Sequence, residues 1–304
     1  MGVIRALILG LGLSLSAAPA PAADAPGKAP GRTPNKATEV AGELVKFRTR
    51  DGWTISGKYW PASDGEMTFI LLHDQKGRHQ DWRKLTVALA RRGVGYLAFD
   101  LRGHGLSQTP PKPGQASDWR RFTATKAYNE WDNMREDAAA AVEVLKSRGV
   151  SDADIAFGGG DIGGSIALKY AAVHLEVPMI FLLSPGISYH DVTTVNAMRS
   201  YKDRPILMIV AEDDPKCAAE TTILAQFARN SAGPDNVTLL RVPHRHGTLL
   251  LHNKDTVENI LAWIDNPVKS PGLESPALGS TEPGSDGLPT EDQLDRAVHP
   301  DAGR

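Results

Sequence analysis

Three short segments of the sequence carry side chains that together suit nucleophilic catalysis. Asp161 stands in the glycine run GGGDIGG, between an apolar run and a helical pattern. A second apolar run, ILMIVA, is followed by Asp213 and Asp214, and RVPHRHG supplies His244 and His246. A nucleophile or base, an imidazole and an acid that orients the imidazole form a recurrent hydrolytic constellation.

The glycines around Asp161 have a physical reason. A nucleophile on a sharp strand-to-helix turn has a strained backbone, so its neighbours must lack bulk. Gly159, Asp161 and Gly163 give the spacing Gly-x-Asp-x-Gly, and Gly164 packs at the start of the helix. The nearby Ser165 does not occupy this turn, because it lies four residues further on and on a different face.

The elements that must position these residues alternate along the chain. An opening hairpin, ELVKFRT and WTISGKYW, is followed by apolar strand patterns and amphipathic helix patterns in turn. This alternation predicts an α/β fold with a mainly parallel sheet, helices on both faces and an N-terminal antiparallel hairpin. In such sheets, reactive groups gather at the carboxyl ends of the strands.

Two segments at these strand ends resemble the α/β-hydrolase superfamily. ILLHDQKG is similar to the family's oxyanion-loop region, and FDLRGHGLS is similar to its Asp-x-Arg-Gly-His-Gly-x-Ser run. The Gly-x-Asp-x-Gly turn resembles the family's nucleophile elbow, in which the middle residue is most often Ser. With this elbow, the resemblance extends from about Glu43 to Asp265. It points to the capless, dienelactone-hydrolase-like branch, because no large insertion follows the sixth strand. In that branch Asp100, Arg102, His104 and Gly105 are expected to fix the loop after the fourth strand.

The resemblance implies a role for each candidate residue. The order nucleophile, acid, histidine assigns Asp161, Asp214 and His246 to the triad. Spacing after the strand favours Asp214 over Asp213, and the His-Gly pair favours His246 over His244. Asp214 is also a candidate helix N-cap, which is compatible with a triad role. The expected oxyanion donors are the backbone N–H groups of His73, Asp74 and Ile162.

Three roles for Asp161 remain open from the sequence. As a nucleophile it attacks an sp3 carbon and forms an alkyl-enzyme ester, which His246 then hydrolyses with water; epoxide hydrolases and haloalkane dehalogenases of this superfamily work in that way. As a base it activates water beside His246, but two carboxylates near one imidazole favour the cation. In the third role, the protein is a catalytically inactive member of the fold that binds a ligand or partner.

A long loop after the fourth strand carries Trp119, Tyr128 and Trp131. Loops of this length are often functional, and these aromatic side chains are candidates to stabilise a leaving group. The alternative is that they only pack the loop.

Composition and the two chain ends bound the remaining possibilities. Residues 1–22 read as a signal peptide, which predicts export to the periplasm or medium without stable membrane insertion after cleavage. We expect a disordered linker at 23–42, one hydrolase domain at 43–267 and a disordered tail at 268–304.

With 34 Lys+Arg against 36 Asp+Glu, nothing favours nucleic acid, so the expected partner is a small-molecule substrate. The spacing of His, Cys and acidic residues predicts no metal or other cofactor, and the single cysteine, Cys217, reads as an ordinary helix residue.

Overall fold

The computed structural model describes residues 42–125 and 127–268. The predicted signal peptide lies outside these residues, as do the linker and the tail except for residues 42 and 268. These assignments therefore stay predictions. Among the described residues, no helix combines the length and apolar character that a membrane crossing needs.

One eight-stranded mixed sheet forms the centre of the described chain. Its spatial order is β1-β2-β4-β3-β5-β6-β9-β10; β2 pairs antiparallel with β1 and β4, and the remaining neighbours pair parallel. This confirms the predicted mainly parallel sheet with an N-terminal antiparallel hairpin. The strands are β1 (Glu43–Arg48), β2 (Thr54–Trp60), β3 (Thr68–Leu72), β4 (Gly95–Asp100), β5 (Ile155–Gly160), β6 (Ile180–Leu183), the short pair β7 (Ser188–Tyr189) and β8 (Val192–Thr193), β9 (Ile206–Ala211) and β10 (Val237–Val242).

Helices cover both faces of the sheet, as expected. Successive side chains of a strand point to opposite faces, so Ile70 and Leu72 enter one hydrophobic core while Phe69 and Leu71 enter the other. The first core lies under α2, α3 and α5, and the second lies under α1 and α6. The helices are α1 (Arg83–Arg91), α2 (Arg135–Ser147), α3 (Ile162–Val173), α4 (Val195–Arg199), α5 (Pro215–Ala232) and α6 (Thr256–Asp265).

The segment between β6 and β9 is short, as the sequence predicts for a fold without a cap domain. It holds the β7–β8 hairpin and α4, neither of which the sequence pattern had indicated. The hairpin turns at His190 and Asp191, which have φ values of 49° and 60°. A two-residue turn with both residues left-handed matches the twist of a β-hairpin.

The loop after β4 is fixed by Asp100, as expected. Its carboxylate accepts hydrogen bonds from the backbone N–H groups of His79 (2.7 Å) and Leu106 (2.8 Å). Gly105 has a φ of 46°, and a Cβ there would lie 2.1 Å from the Asp100 carboxylate. The close approach therefore requires a glycine.

Arg102 forms a buried ion cluster beneath the same loop. Its side chain is fully buried and binds Asp51, Glu130 and Asp137 at 2.6 to 3.1 Å. The guanidinium also lies over the ring of Trp53, 5.5 Å from its centroid. These contacts confirm a structural role for Arg102, because they leave it no free donor direction toward a substrate.

Candidate active site

Asp161 lies on the sharp turn that joins β5 to α3. Its backbone has a φ of 51° and a ψ of −121°, which is a strained conformation for a residue with a side chain. A Cβ at Gly159 would lie 2.5 Å from the Gly163 backbone, and one at Gly163 would lie 2.3 Å from the Leu72 carbonyl oxygen. The two glycines are therefore what allows strand, turn and helix to pack this closely, and the turn has the geometry of a nucleophile elbow.

The two oxygens of the Asp161 carboxylate have different surroundings. Oδ2 accepts a hydrogen bond of 3.2 Å from the backbone N–H of Gln75. Oδ1 is buried and has no hydrogen-bond partner in the described part of the chain. It lies 3.9 Å from Nε2 of His246, and the Asp161 side chain is only 9% exposed. One oxygen is thus held while the other is left available.

Asp214 and His246 form the pair that the sequence favoured. His246 Nδ1 lies 2.7 Å from Asp214 Oδ2. The other Asp214 oxygen accepts from the backbone N–H of Cys217 at 3.1 Å, so Asp214 is also the N-cap of α5. The alternative residues, His244 and Asp213, pair with each other at 3.1 Å on the exposed side of the same loops. The structure therefore brings Asp161, His246 and Asp214 into one row.

Two carboxylates flank the His246 ring and change its protonation. The pKa of His246 is raised to about 9, chiefly by the neighbouring Asp161 carboxylate and further by Asp214, against a smaller lowering by burial. At 3.9 Å the contact with Asp161 is an ion pair rather than a hydrogen bond. The ring is therefore cationic at neutral pH while Asp161 carries its charge, which is what the sequence led us to expect of this arrangement.

The oxyanion-loop region is anchored by His73. Its Nε2 accepts a hydrogen bond from the Leu101 N–H (2.9 Å), so the ring proton is on Nδ1, which donates to the Asp74 carbonyl (2.7 Å). Complete burial lowers the pKa of His73 to about 3, which keeps the ring neutral. Its neutral ring thus fixes the backbone that leads to Gln75.

The backbone N–H that reaches Asp161 belongs to Gln75, which was not among the three oxyanion donors predicted from the sequence. Of those three, Ile162 is the first residue of α3, where backbone N–H groups lack a partner within the helix. His73 and Asp74 precede Gln75 on the loop, and their backbone role as oxyanion donors stays a prediction. Gln75 could have been suggested by its position, because it directly follows His73 and Asp74 in the loop after β3.

The Asp74 side chain braces the histidine loop. Its carboxylate accepts from both the backbone N–H (2.9 Å) and the hydroxyl (2.8 Å) of Thr248. Burial raises the pKa of Asp74 to about 6, against the lowering effect of these hydrogen bonds, and the charge of Asp161 raises it further. The Gly247 N–H donates to Ser184 Oγ at 2.9 Å, which ties the same loop to the end of β6. The hydrogen bonds of Asp74 and Ser184 to this loop position His246.

The aromatic side chains of the loop after β4 pack against neighbouring residues. Trp131 is 3% exposed and stacks on His190 at 4.0 Å between ring centroids. Trp119 stacks on His104 at 5.5 Å, and the exposed Tyr128 donates its hydroxyl to Glu130. These contacts support the packing role that the sequence left as an alternative.

Cys217 meets two residues of the Asp161–His246–Asp214 row to form a set of side chains of the kind that binds metal ions. One ligand atom each of Asp214, Cys217 and His246 lie within 4.8 Å of one another. The sequence does not indicate this set, because its members come from the start of α5 and from a loop that follows β10. No ordinary metal-ligand spacing connects them.

Comparison with known protein families agrees with this architecture. A family model described as the alpha/beta hydrolase fold matches residues 68–212, which run from β3 to the residue after β9 and include the elbow. The described chain has the α/β-hydrolase fold.

Individual relatives are distant. An uncharacterized protein of Mycobacterium tuberculosis is 25% identical over 199 residues, which are 65% of this chain and 63% of that protein. The chain thus spans less than two thirds of the length of that relative. The AB hydrolase superfamily protein YisY of Bacillus subtilis is 26% identical over 177 residues, 55% of each chain.

Solved structures share the fold at lower identity. The esterase Pf2001 of Pyrococcus furiosus has 18% identity and a TM-score of 0.57, over 75% of this chain and 93% of that one. A dienelactone hydrolase from Anabaena variabilis has 14% identity and a TM-score of 0.54, over 75% and 98%. At these identities the likeness concerns the fold alone.

Proposed function

We propose that this protein is a hydrolase of the α/β-hydrolase superfamily in which Asp161 is a covalent nucleophile toward an sp3 carbon. The observation that carries the proposal is the unpartnered Oδ1 atom, which is held at the elbow beside His246 while Gln75 fixes Oδ2. A carboxylate so placed suits displacement at carbon. Attack on an ester carbonyl would instead give a high-energy anhydride, so ester substrates are disfavoured.

The first step of the proposed reaction forms an ester. A lone pair of Asp161 Oδ1 makes a bond to the substrate carbon, while the bond from that carbon to an epoxide oxygen or a halogen breaks. The leaving atom keeps the electron pair: a halogen departs as halide, and an epoxide oxygen takes up a proton from solvent water. The substrate class is therefore a small epoxide or haloalkane.

The second step hydrolyses that ester. His246, oriented by Asp214, takes a proton from water as the water attacks the Asp161 carbonyl carbon, and the product alcohol leaves with the original Oδ1. An ester carries no charge, so the first step removes the largest cause of the raised pKa of His246. The ring can then act as a base when it is needed. A direct water mechanism lacks this advantage, because Asp161 stays charged throughout.

A comparison of wild type with Asp161→Asn on epoxides, haloalkanes and esters tests the proposal. We expect turnover of an epoxide or haloalkane by wild type and loss of at least about a thousandfold in the variant, because an amide is a poor nucleophile. Asp213→Asn is the matched control, since that residue pairs with His244 outside the row. If wild type shows no turnover above Asp161→Asn on any of the three classes, the hydrolase proposal is wrong and the binding role is favoured.

A further inference from the structure

We propose that Asp214, Cys217 and His246 form a binding site for Zn²⁺, and that Zn²⁺ bound there prevents His246 from acting as a base. The candidate ligand atoms are a carboxylate oxygen, a thiol sulfur and a ring nitrogen, all within 4.8 Å of one another. Zinc takes this mixture of oxygen, sulfur and nitrogen donors. The inference goes beyond the proposed reaction, and binding can be measured whether or not that reaction occurs.

The geometry favours Nδ1 as the ligand atom of His246. Nδ1 lies 2.7 Å from Asp214 Oδ2, whereas Nε2 lies on the side of Asp161. Bond lengths of about 2.0 to 2.3 Å around tetrahedral zinc separate neighbouring ligands by about 3.5 Å. The most distant donors must therefore approach by up to about 1.3 Å, and Nδ1 and Oδ2 must separate by about 0.8 Å. Rotation of the Cys217 side chain away from the Pro185 carbonyl can supply the approach of the sulfur. Three protein ligands leave the fourth position to water.

Asp161 provides an independent indication of this site. A zinc-bound histidine normally donates its other ring N–H to a carboxylate, a backbone carbonyl or water, which fixes the ring. The Asp161 side chain is about nine-tenths buried, and its unpartnered Oδ1 lies 3.9 Å from His246 Nε2. With zinc on Nδ1, the ring proton is on Nε2 and faces that oxygen. The row Asp161, His246, zinc then has the arrangement of a carboxylate–histidine–zinc triad.

Zinc binding releases protons and leaves a neutral site. The Cys217 thiol loses its proton to become a thiolate, the imidazolium loses the proton on Nδ1, and Asp214 binds as the carboxylate. One divalent cation with two anionic ligands carries no net charge. His246 then has no free lone pair on either nitrogen for a water proton and no hydrogen bond to Asp214, so it cannot act as a base. Zinc thus inhibits the second step of the proposed reaction.

Cobalt is a direct probe, because Cys217 is the only cysteine of the chain. We expect Co²⁺, added to the metal-free full chain at pH 8 without oxygen, to give a thiolate-to-cobalt charge-transfer band in the near ultraviolet, and stoichiometric Zn²⁺ to abolish it. Cys217→Ser should remove the band. Asp214→Ala and His246→Ala should weaken Co²⁺ binding by at least tenfold, and Asp161→Ala by about tenfold through loss of the outer carboxylate.

His244→Ala is the matched control, since His244 and Asp213 form a neighbouring pair without a thiol. It should keep both the band and the affinity, and circular dichroism checks that each variant is folded. Two results contradict the proposal. One is the absence of a charge-transfer band in folded wild type at millimolar Co²⁺. The other is a Zn²⁺ affinity, measured by calorimetry, that His244→Ala lowers and Cys217→Ser leaves unchanged.

Discussion

His246→Gln is expected to arrest the protein as a stable alkyl-enzyme on Asp161. The first step needs only the carboxylate, whereas hydrolysis of the ester needs the imidazole that Asp214 holds at 2.7 Å. Loss of a general base costs about 10² to 10⁴ in rate, so the ester should accumulate while turnover falls by that factor. With an epoxide, the intact mass should rise by the full mass of the substrate, and peptide mapping should place the increment on Asp161.

The matched control for this trap is His244→Gln. His244 is only two residues from His246 in the sequence, but it pairs with Asp213 on the exposed side of the loop. We expect normal turnover and no accumulated adduct in this variant. The covalent account is contradicted if His246→Gln loses turnover of a substrate that wild type hydrolyses and yet carries no added mass.

Arg102→Met is expected to cost about 3 to 5 kcal/mol in the free energy of unfolding. The substitution leaves Asp137, which is fully buried, and Glu130, which is nearly so, without their common cation. Removal of one partner from a buried ion cluster strands the other charges in a medium that solvates them poorly. Urea denaturation followed by circular dichroism measures the change.

Arg120→Met gives a matched comparison on the surface. Arg120 also lies over a tryptophan, with its guanidinium 4.7 Å from the ring of Trp119, and it also pairs with a carboxylate, that of Asp118 at 3.0 Å. Because this pair is exposed, its loss should cost at most about 1 kcal/mol. Equal stability losses in the two variants would mean that the buried cluster contributes no more than an ordinary surface pair.

The order of strands and helices could be predicted from the sequence because most elements bury a continuous apolar face. β3, β5 and β9 are runs in which every residue is buried, and such runs identify central strands without knowledge of the fold. The β7–β8 hairpin could not be predicted in this way. Its two strands have two residues each, and its turn has no glycine. Contacts such as the stacking of His190 on Trp131 define its place instead.

In the candidate site, too, some features could be predicted from local sequence patterns and others could not. Asp161, Asp214 and His246 could be predicted to lie together because each follows a strand end, and the carboxyl ends of parallel strands meet at one edge of the sheet. Their catalytic roles came from the resemblance to α/β-hydrolases and stay predictions. The Gln75 N–H, the bracing of Thr248 by Asp74 and the approach of Cys217 depend on how loops cross that edge. Loop crossings are set by packing between distant segments, which no local pattern records.

A single-turnover reaction in ¹⁸O-labelled water, with protein in excess over an epoxide or haloalkane that wild type hydrolyses, tests the nucleophilic role of Asp161 most directly. Water attacks the carbonyl carbon of the ester, so its oxygen enters the carboxylate while the product carries away an oxygen of Asp161. We expect mass spectrometry to find one ¹⁸O in the peptide that contains Asp161 and none in the newly formed hydroxyl group of the product. Label in that hydroxyl group with none in Asp161 would show that water attacks the substrate directly, and would contradict the account.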